Sequence, residues 1–474
     1  MILKPTDNSI VPVGAEKIWD GDILRREGTA DLFMDIISNR KEAITMCLNS
    51  GWGTGKTFFL TRLCEQYRQY KANGIGGQAI YFNAWEDDNL SDPLIAIIGQ
   101  LWKNLKGGTC EECVKTVTQC VPKIINRAAF NLGLGLLKAT PVAGKVMEEL
   151  TKDLSPDDLK TASAKVFDNY CQLTEDKADL RKRLGELGAK IMAETGRPLL
   201  FVIDELDRCR PTFAIETLER VKHLFGVPNI VFLFGVDCAQ LRQSIRAIYG
   251  EVDADNYLNR FFDVEMSLPE ANEEQFLWML HGRHEVQNSS GDYFQYLMKT
   301  LLPLVKLHSL SLRELEKSER IITLITESNL AANSECYVLL PAMLILKMRN
   351  REVYRKLLIG DCPYAELIDA LFEEAQEHAL FMQCRRGIEY LTQWQIQDPQ
   401  GNESKAALRD KLEKISNAES PDGIDMTGLP KLFEKISFGD LQSCAKSSLE
   451  TRGWNHAEEA IPIIAAALNC VQRR

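Results

Sequence analysis

The sequence predicts an α/β fold with a five-stranded parallel sheet, a helical insertion and a helical C-terminal part. Three observations support this prediction: short apolar runs alternate with helical stretches, a glycine-rich segment follows the first run, and two carboxylates follow the third. Runs rich in β-branched and aromatic residues, separated by helices, are typical of parallel strands. The expected strands are residues 43–48, 78–82, 199–203, 230–236 and 261–268.

The composition indicates a folded protein and limits its partners. The chain has 474 residues, of which 45% are hydrophobic and 26% charged, so it can bury a large core. Its 56 basic and 67 acidic residues give a net charge of −11. This charge argues against a protein that coats nucleic acid with its general surface, but it allows a local basic groove. The first residues lack the pattern of a signal peptide and the 13 cysteines are scattered, so we expect a cytoplasmic protein with reduced thiols.

The segment after the first strand has the pattern of a phosphate-binding loop that leads into a helix. Glycines let backbone N–H groups curl around a phosphate, and the helix N-terminus adds its positive end. Lys56 would reach the β- and γ-phosphates of the nucleotide, and the Thr57 hydroxyl would ligate Mg²⁺. Ser50 replaces the usual first glycine, and a glycine-rich turn without nucleotide is the alternative. The predicted nucleotide contacts are Ser50, Gly51, Trp52, Gly53, Thr54, Gly55, Lys56, Thr57 and Phe58.

More than 100 residues separate the second strand from the third, which is too long for a simple connection. We predict a mostly helical insertion at about residues 91–195. Its most apolar segment, residues 128–144, is shorter than the roughly 20 residues of a membrane helix and is interrupted by polar residues and a proline, so we expect no membrane span. Basic residues of the insertion could line a nucleic-acid groove, although a solvated helical face is the simpler explanation: Lys103, Lys106, Lys115, Lys123, Arg127, Lys138 and Lys145.

Acidic residues follow the third and fourth strands, at the sheet edge where open α/β proteins bind ligands. We expect Asp204 to hold Mg²⁺ and Glu205 to orient the attacking water, the alternative being that these acids cap the next helix. Asp237 would lie beside them and sense the γ-phosphate, or cap the helix that follows. Asp207 and Arg208 could form a local ion pair, or Arg208 could meet phosphate or a neighbouring subunit.

Three segments together resemble the KAP family of P-loop NTPases: Trp52-Gly53-Thr54-Gly55-Lys56-Thr57, Phe82-Asn83-Ala84-Trp85-Glu86 and Asp204-Glu205-Leu206-Asp207-Arg208-Cys209. The resemblance spans about residues 15–330. It implies that the chain binds ATP with Mg²⁺, and it implies an additional-strand ATPase core of strand order 5-1-4-3-2, related to AAA+ and STAND ATPases. Many members carry transmembrane helices between the two Walker motifs. The insertion of this chain is not apolar enough to span a membrane. In this respect the chain resembles the soluble bacterial members of the family, which are often linked to defence against phage.

The likeness to AAA+ proteins also implies roles for two arginines. The segment 257–263 resembles the region of the arginine finger, so Arg260 would complete the ATP site of a neighbouring subunit. Arg313, in a predicted lid helix, resembles a sensor-2 arginine that touches the γ-phosphate in cis. The alternatives are a solvated Arg260 at a helix end and a surface ion pair of Arg313 with Glu316 or Lys317.

The predicted organisation is a P-loop NTPase core at 1–268 that contains the insertion, a helical lid at 269–330, and a helical partner-binding region at 331–474. We expect adenine near residues 23–26, and we expect Trp85 to pack rather than bind. The predicted function is a Mg²⁺-dependent ATPase that acts as an oligomeric switch or assembly module in anti-phage defence. The ATP site would lie at a homo-oligomer interface, and a separate effector chain would supply further activity.

Two other functions fit the same sequence. One is an ATP-driven motor that remodels nucleic acid. The other is a scaffold that binds ATP with little turnover. Glu205 argues against the scaffold, because a module that only binds ATP has no need of a water-activating carboxylate.

Overall fold

The computed structural model describes residues 17–126, 156–283, 301–327, 336–392 and 403–449, apart from a few short gaps within these ranges. The chain divides into two compact units, Met1–Glu270 and Ala271–Arg474.

The first unit is built on a five-stranded sheet in which all neighbouring strands are parallel. Its strands are β1 (Ile44–Asn49), β2 (Ala79–Asn83), β3 (Leu199–Asp204), β4 (Ile230–Val236) and β5 (Val264–Ser267), and their order is β2-β3-β4-β1-β5. This is the order 5-1-4-3-2 taken from the other edge, so the predicted fold class and strand order are confirmed.

The fifth strand is shorter than the predicted 261–268. Phe261 and Phe262 belong to a turn before the strand, because their N–H groups donate to the carbonyl of Leu258. The other four strands lie within one residue of their predicted bounds.

The helices of this unit include α1 (Glu27–Ser38), α2 (Lys56–Gln69), α3 (Pro93–Leu105), α4 (Glu111–Thr118), α5 (Pro156–Thr195), α6 (Pro211–Leu224), α7 (Cys238–Tyr249) and α8 (Ala254–Leu258). The described part of the predicted insertion contains α3, α4 and α5 and a further helical segment at 121–126. The apolar segment 128–144 lies outside the described residues.

The central strands β3 and β4 are buried at every position. Alternate residues of β3 enter different cores: Phe201 and Ile203 pack on one face of the sheet, and Val202 packs on the other face with residues of α1 and α2. Because both faces are covered, these strands are continuously apolar rather than alternating. Burial of each large side chain stabilises the fold by about 1.5–3 kcal/mol.

The second unit is helical over its described residues and has its own core. Its helices include α9 (Glu273–Arg283), α10 (Leu312–Glu327), α11 (Cys336–Arg349), α12 (Arg351–Leu358), α13 (Tyr364–Phe372), α14 (Glu403–Asn417), α15 (Lys431–Lys435) and α16 (Phe438–Leu449). Within the described ranges of the whole chain, none of the helices has the length and apolar character needed to cross a membrane.

Candidate functional site

Two glycines of the loop between β1 and α2, residues 50–55, are required by its backbone. Gly53 and Gly55 have φ angles of 77° and 88°, a left-handed conformation that favours glycine. A Cβ at Gly55 would also lie 2.6 Å from Nη1 of Arg26, so the site has no space for a side chain. The loop therefore depends on glycine at Gly55 for two independent reasons.

Ser50, which replaces the usual first glycine, takes part in the hydrogen bonding of the loop. Its Oγ donates to Oγ1 of Thr54 at 2.7 Å, and that hydroxyl in turn donates to the carbonyl of Gly51 at 2.8 Å. Its backbone N–H donates to the carbonyl of Val236 at the end of β4, at 3.1 Å. The hydroxyl of Ser50 therefore adds to the loop a hydrogen bond that glycine would lack.

A buried arginine holds the other end of the loop. Arg26 is 2% exposed, and its guanidinium donates to the carbonyls of Thr54 at 2.7 Å and Gly55 at 3.3 Å. Burial lowers the pKa of Arg26 to about 10, although the carboxylate of Asp22 acts in the opposite direction. Arg26 lies in the segment expected to contact adenine, but its side chain bonds the loop. Ile23 of that segment lies outside the described residues.

Lys56 is the first residue of α2 and is 9% exposed. Its Nζ donates to the carbonyl of Ser50 and, at 3.2 Å, to the carbonyl of Gly51. The ammonium group is thus held against the loop, where its positive charge is available to an anion that enters.

The carboxylate of Asp204 is the meeting point of three elements. It lies at the end of β3, is fully buried, and accepts hydrogen bonds at Oδ2 from the Thr57 hydroxyl at 2.7 Å and the Tyr81 hydroxyl at 2.8 Å. Burial raises the pKa of Asp204, whereas these two hydrogen bonds lower it. Hydroxyl and carboxylate oxygens are the ligands that Mg²⁺ prefers, so the donor set fits this ion. Tyr81 was not predicted from the sequence.

Glu205 directly follows Asp204 and has an unusual backbone. Its φ of 60° is left-handed, a conformation that costs a non-glycine residue about 1–3 kcal/mol and often occurs at functional sites. Its side chain is 14% exposed and forms an ion pair with Nη1 of Arg208 at 2.9 Å. Arg208 is therefore paired with Glu205, whereas the sequence suggested Asp207 as its local partner. Asp207 accepts instead from the indole N–H of Trp52.

Two tryptophans lie at the surface of this region. Trp52, in the loop, is 49% exposed, and Trp85, in the short helix Ala84–Asp87, is 53% exposed. The expectation that Trp85 packs in the core is wrong. The sequence pattern did not predict the exposure of Trp85. The ring belongs to a short helix that begins only after β2 ends and places the ring at the surface.

Asp237 follows β4 and caps α7. Its Oδ1 accepts from the N–H groups of Ala239 at 3.0 Å and Gln240 at 3.4 Å, as the helix-cap alternative predicted. Asp204 and Gly235 are paired in the register of β3 and β4, so Asp237 follows a strand end next to that of Asp204. A carboxylate that caps α7 can also contact a γ-phosphate, so the two predicted roles of Asp237 are compatible.

Arg260 is exposed in the turn after α8. It lines a surface cavity of about 430 Å³ together with apolar and aromatic side chains, among them Tyr249, Val252 and Tyr257. Tyr249 is 45% and Val252 38% exposed. The described residues of the first unit thus place Arg260 beside an apolar surface.

Arg313 belongs to the second unit, in the first turn of α10, and is exposed. Ser311 and Glu314 form a reciprocal cap there, with Ser311 N–H donating to Glu314 Oε2 at 2.9 Å. Glu316, one of the expected surface partners of Arg313, pairs with Arg320 at 2.7 Å. The role of Arg313 stays a prediction.

The basic residues considered for nucleic-acid binding differ in their surroundings. Lys115 pairs with Glu111 and Glu112, each at 2.9 Å, which offsets its charge. Lys103, Lys106 and Lys123 are exposed. Three others lie outside the described residues: Arg127, Lys138 and Lys145.

The family model described as KAP family P-loop domain matches residues 26–329, which include the loop, both acidic strand ends and Arg260. No match was found among curated proteins.

Solved structures of origin-recognition proteins are similar at low level. Aeropyrum pernix ORC2 in ADPNP–ADP complexes has 14% identity and a TM-score of 0.35, covering 97% of this chain and 99% of that chain. Its ADP form has 12% identity and a TM-score of 0.34, with coverages of 94% and 97%. Drosophila ORC bound to poly(dA/dT) DNA and Cdc6 has 12% identity and a TM-score of 0.29, with coverages of 96% and 77%. Similarity this low carries no argument about function.

Proposed function

Because the chain belongs to the KAP family of P-loop NTPases, we propose that it is a Mg²⁺-dependent ATPase that works as an oligomeric switch. One observation carries the proposal: the Thr57 hydroxyl and the Asp204 carboxylate meet at 2.7 Å, next to the loop that holds Lys56. One edge of the sheet therefore carries both a loop that can bind phosphate and oxygen atoms that can ligate a divalent ion.

In the proposed mechanism each side chain has one task. Lys56 binds the β- and γ-phosphates, and the N–H groups of residues 51–57 surround them. Thr57 and Asp204 would hold Mg²⁺, and the bound ion would supply positive charge to the phosphates. Glu205 orients a water for in-line attack and accepts its proton.

Three further residues are proposed to respond to the γ-phosphate. Asp237 senses it from the end of β4, and Arg313 contacts it in cis. Arg260 of a neighbouring copy completes the site and stabilises the transferring charge. The exposure of Arg260 beside apolar side chains supports its presence at a subunit interface.

The switch would act through the second unit. In the proposal, bound ATP sets the conformation of the lid at 269–330, and the region at 331–474 recruits a separate effector chain. Anti-phage defence in a bacterial cytoplasm is the setting we propose, and it rests on the family resemblance alone.

Particle mass in solution, measured with and without ATP and Mg²⁺, tests the switch. We expect ATP to build a defined oligomer, Glu205→Gln to lock it, and Arg260→Ala to weaken it. Arg183→Ala, which removes an ion pair with Asp179 on α5, is the matched control and should behave as the wild type. An unchanged mass in every variant, with ATP still hydrolysed by the wild type, would show that the site is not shared between subunits.

A further inference from the structure

The catalytic carboxylate proposed above is part of a larger side-chain cluster. We call this the arginine–tryptophan cluster and define it as Trp52, Trp85, Glu205, Asp207 and Arg208. It joins the phosphate-binding loop, the end of β2 and the turn after β3. Of its five side chains, the proposed function uses only that of Glu205.

Arg208 fixes the direction of the Glu205 carboxylate. The two side chains form an ion pair of 2.9 Å inside one short helical turn, Leu206–Arg208, and are only 24% and 14% exposed. Partial burial reduces the screening that makes surface ion pairs weak. A carboxylate held in this way has fewer rotamers than a free one, so less order must be created in the transition state.

Arg208 is itself held by aromatic rings. Its guanidinium carbon lies 5.9 Å from the centroid of the Trp52 ring and 5.7 Å from that of Trp85. Both distances are within the roughly 6 Å over which a cation is attracted to the face of an aromatic ring. Two rings from different elements therefore limit where the guanidinium can go.

A second link connects the loop to the same turn. The indole N–H of Trp52 donates to Oδ2 of Asp207 at 2.5 Å, and Asp207 is 7% exposed. The other oxygen, Oδ1, is buried and has no hydrogen-bond partner among the residues that the structure describes. Movement of Trp52 would thus cost its hydrogen bond to a buried carboxylate as well as its contact with Arg208.

We propose that Arg208 is a positioning residue for Glu205, and that Trp52 couples this pair to the phosphate-binding loop. The inference rests on the proposed role of Glu205. Phosphate bound in the loop fixes Trp52, Trp52 fixes the turn at Asp207 and Arg208, and Arg208 aims the carboxylate at the water. Arg208 acts through Glu205 and does not itself need to touch ATP.

Steady-state ATP hydrolysis by Arg208→Ala and Arg208→Lys tests the proposal. Arg208→Ala should lower kcat about 10- to 100-fold, the loss that follows when a reacting group is misplaced, with KM for ATP changed less than about threefold. Arg208→Lys should recover part of kcat, because an ammonium can pair with Glu205 but lacks the planar group that stacks on the two rings.

The matched control is Arg210→Ala. Arg210 lies two residues further on and contacts Asp88 instead of Glu205, so its loss should leave kcat within about twofold of the wild type. Trp52→Phe keeps an aromatic ring, although a smaller one, but removes the N–H donor, and should lower kcat less than Arg208→Ala does. The quenching of tryptophan fluorescence by acrylamide should rise in Arg208→Ala and not in Arg210→Ala, because Trp52 and Trp85 lose a neighbour.

The contrary outcomes are distinct. If Arg208→Ala raises KM more than tenfold and leaves kcat unchanged, Arg208 contacts phosphate and the proposal is wrong. If it abolishes only the ATP-dependent change in mass, Arg208 belongs to a subunit contact, and the proposal is again wrong. If Glu205→Gln hydrolyses ATP as fast as the wild type, the proposed role of Glu205 fails first, whatever Arg208→Ala does.

Discussion

The hydroxyl of Thr57 donates a hydrogen bond of 2.7 Å to Oδ2 of Asp204, although 147 residues separate them in the chain. Thr57 is at the start of α2 and Asp204 is at the end of β3. The strand that lies between β1 and β3 is β4, and it presents Gly235 opposite Asp204. The contact between Thr57 and Asp204 therefore depends on the absence of a side chain at Gly235.

Gly235→Ala should disrupt this arrangement. A Cβ at Gly235 would lie 2.3 Å from Cδ1 of Leu60 and 2.9 Å from Oδ1 of Asp204, so α2 or the carboxylate must shift. We expect ATP hydrolysis to fall about 10- to 100-fold and the free energy of unfolding to fall by about 1–3 kcal/mol. Hydrolysis rates and urea unfolding measure the two effects.

Gly99→Ala is the control for that substitution. Gly99 lies in α3, and a Cβ built there meets nothing within 4 Å. Alanine should leave hydrolysis unchanged and stabilise the helix by about 0.5–1 kcal/mol. Full activity in Gly235→Ala would mean that Asp204 tolerates displacement, which contradicts the role given to it.

Tyr81→Phe should weaken the binding of Mg²⁺. The Tyr81 hydroxyl donates to the same Oδ2 that accepts from Thr57, so it orients the carboxylate from the β2 side. Loss of such an outer hydrogen bond commonly costs about 10- to 100-fold in metal affinity. The Mg²⁺ concentration that gives half-maximal hydrolysis should rise in that range, with kcat at saturating Mg²⁺ changed little.

The control for Tyr81→Phe is Tyr70→Phe. Tyr70 is 54% exposed, and its ring, which the substitution retains, packs on the guanidinium of Arg197 at 3.8 Å. Its Mg²⁺ dependence should match that of the wild type. The same Mg²⁺ dependence in Tyr81→Phe would argue that Asp204 is oriented without the Tyr81 hydroxyl, by Thr57 and by the backbone N–H of Glu205.

Arg26→Met should damage nucleotide binding more than catalysis. Methionine fills part of the buried space but leaves the carbonyls of Thr54 and Gly55 without the donors that hold them. We expect KM for ATP to rise about tenfold, the equivalent of 1.4 kcal/mol, with kcat changed less. Arg246→Ala, a change at an exposed arginine of α7, is the matched control. If both variants have the KM of the wild type, the loop holds its shape without Arg26.

The sequence predicted the parts of the site that follow from local pattern. Lys56 and Thr57 belong to a continuous loop motif, and Asp204 ends an apolar strand, so neighbouring residues identified each of them. Tyr81 and Arg26 were missed because their bonds span 123 and 28–29 residues and arise only when β2 and α1 pack. No local pattern marks such contacts.

The sequence left two roles open for Asp237, capping of α7 and sensing of the γ-phosphate, and one pair of variants can distinguish them. Serine caps helices nearly as well as aspartate does, whereas alanine does not cap and costs about 1 kcal/mol. Asp237→Ser should therefore keep the melting temperature of the wild type, and Asp237→Ala should lower it. If the carboxylate also senses the γ-phosphate, as proposed, both variants should hydrolyse ATP more slowly by a similar factor. Normal hydrolysis by Asp237→Ser would limit Asp237 to the cap of α7, and the γ-phosphate would then have to be sensed by another residue.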